Sequence, residues 1–132
     1  MLKPALVLIL AASPALAAGD QILGRETYQG ACAACHGAEG KGDGPMVDLI
    51  SVPVPDLTGI AARNGGEFPW LKVVHIIDGR TGLRGHGGPM PLFGALFAGD
   101  TTAADAPDGS PVITSARVLA VTDYLASIQA AE

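Results

Sequence analysis

At 132 residues, with 13 acidic against 8 basic residues and a net charge of −5, the chain reads as one small acidic domain, a sign unsuited to nucleic-acid phosphates. Against 18 glycines and 10 prolines stand only a handful of aromatic side chains: Tyr28, Phe68, Trp70, Phe93, Phe97 and Tyr124. A core built from these alone is thin for a domain of this size.

The chain opens with one basic residue, Lys3, an apolar stretch from Ala5 to Ala12, and Ala15-Leu16-Ala17, the small-x-small form cut by a signal peptidase. That stretch is shorter than the roughly 20 residues that span a bilayer, which favours a cleaved leader over an anchor. Residues 1–17 are therefore expected to be removed. The mature protein then starts at Ala18 or Gly19, with no membrane span, and is exported in soluble form to the periplasm of a bacterium.

A helix is expected from Asp20, as its cap, through Ile22, Leu23 and Tyr28 into Cys32. There the chain reads Cys32-Ala33-Ala34-Cys35-His36, the C-x-x-C-H spacing of covalent haem attachment. Each thiol can add to a vinyl group of the macrocycle, and the adjacent histidine is then held under the iron. A zinc site needs two more thiolates or well-spaced histidines, and these are the only cysteines. A thioredoxin-like dithiol leaves His36 and a downstream methionine without a role. A buried haem would also thicken the thin core.

The second expected helix, Phe68 to Asp78, tolerates Pro69 in its first turn, stops at Gly79 and aligns Trp70, Val73, Val74 and Ile77 on one stripe. Next comes Gly85-His86-Gly87-Gly88-Pro89-Met90-Pro91-Leu92-Phe93-Gly94, where flanking prolines stiffen the backbone that presents the Met90 thioether. His86 competes as an iron ligand and would give a bis-histidine centre of lower potential. Met46 follows His36 too closely to cross to the opposite face of a haem, and His75 faces away from the apolar stripe. The last helix, about Thr114 to Gln129, repeats Val118, Val121, Leu125 and Ile128 on one face. The connections show no strand-like alternation and no internal repeat.

Taken together, the chain after the leader, residues 18–132, resembles a class I c-type cytochrome: an all-α domain of three main short helices whose Gly/Pro-rich loops wrap one haem c. Gly24 and Tyr28, spaced by four before Cys32, match the family's crossing of first and last helices, which Val121, Tyr124 and Leu125 would complete. The resemblance of the segment 36–45 implies that the Pro45 carbonyl accepts a hydrogen bond from His36. Pro55-Asp56-Leu57-Thr58 resembles a turn of bacterial members. The Pro-Met-Pro-x-Phe-Gly pattern around Met90 matches the family's distal loop, so His36 and Met90 are the expected axial ligands. Arg80, Arg84 and Trp70 are candidates for the haem propionates.

The function these features imply is a one-electron carrier, not an enzyme, working as a monomer that takes an electron from one redox protein and gives it to another through the haem edge. Ala33, Ala34 and Leu92 are candidates for the contact patch. A haem subunit of a specific dehydrogenase or reductase is the alternative, and a haem enzyme or gas sensor with a labile distal ligand the third. The segment 98–111 is longer than the family's usual connection and carries acid but no base, which suits either a solvated loop or a docking element.

Overall fold

The computed structural model describes residues 15–80, 90–99 and 101–131. Among them are six α-helices and one two-stranded antiparallel sheet. The helices are α1 (Ala15–Ala31), α2 (Ala33–His36), α3 (Ile60–Arg63), α4 (Trp70–Asp78), α5 (Phe93–Leu96) and α6 (Ala116–Ser127). Strands β1 (Thr101–Asp105) and β2 (Pro111–Ser115) lie between α5 and α6. The expected leader falls largely outside the described residues, but α1 begins at Ala15 and runs on past Ala17 without a break.

The core forms where α1, α4 and α6 meet. Gly24 of α1 lies so close to α6 that an added Cβ would overlap the Ala120 carbonyl and sit 2.9 Å from the Tyr124 Cβ, so only a residue without a side chain lets the two backbones approach this far. One turn later Tyr28 is wholly buried, its ring centroid 5.3 Å from that of Tyr124. The apolar repeat of α6 buries Val118, Val121 and Leu125, each a burial of about 1.5–3 kcal/mol relative to exposure. Ser115 caps this helix by accepting the Arg117 N–H at 3.1 Å. On α4 the buried residues are Val73, Val74 and Ile77, and Gly79 ends the helix in the left-handed region at φ 89°.

The hairpin corrects the expectation of an all-α chain with a bare 98–111 loop. Its register pairs Thr101 with Ser115 and Asp105 with Pro111. Val112 and Thr114 turn inward while Ile113 points out. At the tip, the Gly109 N–H closes a turn on the Ala106 carbonyl at 2.8 Å, and Asp108 Oδ1 accepts the Ser110 N–H at 2.9 Å. Small residues, Thr-Thr-Ala-Ala in β1, give little hydrophobic contrast between the faces, which is why the alternation does not stand out in the sequence.

Candidate cofactor site

Where α1 ends, the chain makes one more tight turn. The Cys32 N–H still donates to Tyr28, at 2.8 Å, and the N–H groups of Cys35 and His36 both donate to the Cys32 carbonyl, at 3.1 and 2.9 Å. Helical spacing then puts Cys32 and Cys35 on one side of the turn. Both are free thiols, half-buried. Burial, and next the neighbouring Cys35, push the Cys32 thiol up to about 11. A nucleophilic dithiol of the thioredoxin kind needs a shift in the opposite direction.

His36 is buried at the end of α2. The loop behind it is stitched to the motif: the N–H groups of Gly42, Gly44 and Met46 donate to the carbonyls of His36, Cys35 and Ala34 at 2.8, 3.1 and 2.9 Å. The Tyr28 hydroxyl donates to the Gly37 carbonyl at 2.7 Å, and burial is the chief reason its ionisation is pushed far above the ordinary tyrosine range. Nδ1 of His36 lies 3.3 Å from the carbonyl oxygen of Pro55. This corrects the role given to Pro45: the oxygen found against the ring is that of Pro55, while Pro45 lies on the exposed outside of the loop. Both prolines follow the motif, and sequence alone does not say which one the chain folds back to the ring. An imidazole that donates through Nδ1 is one that can bind a metal through Nε2.

Cys32, Cys35, His36 and Met90 line a single cavity of about 560 Å³, within the roughly 300–1,000 Å³ usual for cofactor and ligand pockets. Val73, Ile77, Val121 and Leu125 supply apolar wall, and the segment from Ile50 to Leu57 closes another side. Donor chemistry and shape agree: two thiols, an imidazole and a thioether face an apolar space large enough for a macrocycle. Among the described residues no three His, Cys, Asp or Glu side chains come together as a metal cluster, so the thiols are not part of a zinc site built from them.

The remaining candidates divide. The Trp70 indole donates to Asp123 Oδ1 at 2.6 Å, joining α4 to α6, and Arg80 pairs with Asp78 and donates to the Ile113 carbonyl of β2. Neither is among the residues lining the cavity, whereas Arg63, Asn64 and Lys72, which the sequence reading passed over, are. Their signal was position alone, close to Phe68 and the α4 stripe. Arg84 and His86 lie outside the described residues. Met46 is 42% exposed, and His75 is half-buried on α4 but not part of the lining. Ala34 and Leu92 are exposed and Ala33 half-buried.

No described helix is long and apolar enough to cross a membrane. Comparison with curated proteins and with solved structures returned no match. The family model for Cytochrome c matches residues 22–129, from α1 through the end of α6. The chain belongs to the cytochrome c family, consistent with a class I c-type member, and with that membership comes a covalently bound haem c and its iron.

Proposed function

We propose that this protein is a one-electron carrier in which Cys32 and Cys35 hold the haem by thioether bonds, His36 is the proximal iron ligand and Met90 the distal one. The observation that carries this reading is that Met90, distant in sequence, lines the same cavity as Cys32, Cys35 and His36. When bound, the haem supplies an iron centre that changes charge by one electron. The protein's own part is positional. Two cysteines on one side of a helical turn fix the orientation of the ring they hold. The Pro55 carbonyl keeps the proton of His36 on Nδ1 and so strengthens the other nitrogen as a donor. Pro91 stiffens the backbone beside Met90, and the apolar wall from α4 and α6 keeps water from the metal. With His36 and Met90 both bound to it, the iron would offer substrate no open position, which separates this reading from a gas sensor.

The chain is further proposed to be exported to the periplasm with residues 1–17 removed, and to act as a monomer that meets donor and acceptor proteins briefly, through a small interface. Optical spectroscopy of the purified protein tests the ligation. The oxidised form is expected to show the sulfur-to-iron charge-transfer band, and Met90→Ala to lose it. A band that survives that substitution, or its absence from the unaltered protein, overturns Met90 as ligand. The intact mass of the same preparation reports whether the chain starts at Ala18 or Gly19.

A further inference from the structure

The turn that carries Pro55 is tied down more heavily than a surface turn of four residues requires. Asp56 Oδ1 accepts both the N–H and the hydroxyl of Thr58, at 2.8 and 2.7 Å. Lys41 donates to the same Thr58 hydroxyl at 2.8 Å, and Arg63 donates to the Asp56 carbonyl at 2.6 Å. The Leu57 N–H reaches back to the Gly40 carbonyl at 2.6 Å. From the far end of the chain, Gln129 spans the turn and α3: its amide nitrogen donates to the Leu57 carbonyl and its oxygen accepts the Ala61 N–H, both at 2.9 Å. That same nitrogen also donates to Leu125 at 2.8 Å, so the side chain is held at both ends. The Ala130 N–H adds a bond to the Thr58 carbonyl at 2.8 Å.

We propose that Asp56 and Gln129 are positioning residues whose hydrogen bonds hold the Pro55 carbonyl against Nδ1 of His36 and thereby set the strength of His36 as a metal donor. The inference rests on the reading of His36 as an iron ligand and goes beyond it, since neither residue touches the ring. A hydrogen bond to the distal ring nitrogen raises the basicity of the ligating one, and a more basic ligand favours the higher charge on the metal. Loosening the turn therefore weakens the donor and raises the reduction potential.

The test uses the haem-loaded protein with histidine labelled by nitrogen-15. His36→Ala identifies the His36 ring signals, which must be hyperfine-shifted in the unaltered protein; if they are not, the ligation reading fails before any turn variant is made, and this inference with it. With ligation in place, Gln129→Leu changes no charge, and it is expected to raise the reduction potential and to speed exchange of the His36 ring N–H roughly fivefold, the size of one ordinary hydrogen bond. Asp56→Ala is expected to do the same. Asp56→Asn keeps the oxygen that Thr58 donates to while removing the charge, and is expected to stay close to the unaltered exchange rate. Equal exchange in Asp56→Ala and Asp56→Asn would mean that charge alone acts. Unchanged exchange in Gln129→Leu would mean that its bonds serve stability only. Val118→Ala, a core truncation remote from the turn, controls for general loosening and is expected to leave the exchange rate alone. Any of these three contrary results overturns the proposal, and Lys41→Met, altered at the protein surface, stands in for Asp56→Ala should that variant fail to fold.

Discussion

The side of the cavity that carries His36 and the side that carries Met90 are built from different interactions. Around His36, backbone groups from residues 28 to 58 bond one another over short loops, with Gly42, Gly44 and Met46 all donating into the motif. Around Met90, the described contacts are largely between side chains. Phe93 is buried and stacks on Phe97 at 5.5 Å, the Arg117 guanidinium lies 5.8 Å from the Phe97 ring centre, and Arg80 bridges Asp78 to the hairpin. Hydrogen bonds are directional and fix atoms to within tenths of an ångström, while packing fixes volume and tolerates exchange of similar shapes. The contrast teaches that His36 is held in one place by directional bonds, whereas among the described residues the wall that carries Met90 is set chiefly by packing.

Substitutions that strike one wall at a time sharpen this contrast. The largest effect is expected from Gly44→Val, because a Cβ at Gly44 would overlap the backbone carbonyls of Ala34 and Cys35. Overpacking against backbone costs about 1–3 kcal/mol, and here it would also pry the loop from the motif. A denaturant titration together with the yield of covalently attached haem checks this; normal values for both would show that the proximal wall is softer than its bonds suggest.

A smaller effect is expected from Arg80→Met on the other wall. Asp78, whose side chain is only 8% exposed, loses its ion-pair partner and the Ile113 carbonyl loses a donor, a cost of about 1–3 kcal/mol when a buried group is left unpaired. Faster amide exchange confined to the hairpin and α5, with the Cys32–His36 turn unaffected, is the expected pattern. Exchange that spreads to the motif would erase the distinction between the walls.

The smallest effect is acid titration. Hydrogen bonds from the Thr58 hydroxyl and backbone lower the Asp56 carboxyl below its ordinary 3.8, and those from Ser110 do the same for Asp108. A carboxyl lowered in the folded state adds stability that is present above the unfolded value and fades as pH falls through the folded one. Both groups are exposed, so solvent screens the effect. Carbon-13 titration of the two carboxyls should find both midpoints under 3.8, with the Thr58 and Ser110 amides losing protection in the same range; midpoints at or above 3.8 would show the two turns to be unformed in solution.

The sequence was most readable where one residue type has one physical use. Cys32, Cys35 and His36 were legible because that spacing on a helical turn serves a ring held at two points, and Gly24 because two helices cross only where a side chain is missing. The apolar repeat of α6 came through because its face is buried along its length. The Pro55 contact was not legible, since it depends on how a loop folds back over many residues and a proline carbonyl looks alike at position 45 or 55. Neither was the role of Trp70, whose partner Asp123 lies on another helix. The hairpin did carry a signal: Asp108-Gly109 is a strong turn pair, with Pro107 ahead of it, but the weakly apolar strands on either side hid it.

The Gln129 bridge also orders events in time. In a chain exported front end first, as proposed above, Cys32 and Cys35 emerge long before Gln129, the residue that bonds to Leu57 and Ala61. Until Gln129 has followed, its bonds to the turn cannot form. In that order of emergence the cysteines precede the bonds that hold the turn behind them.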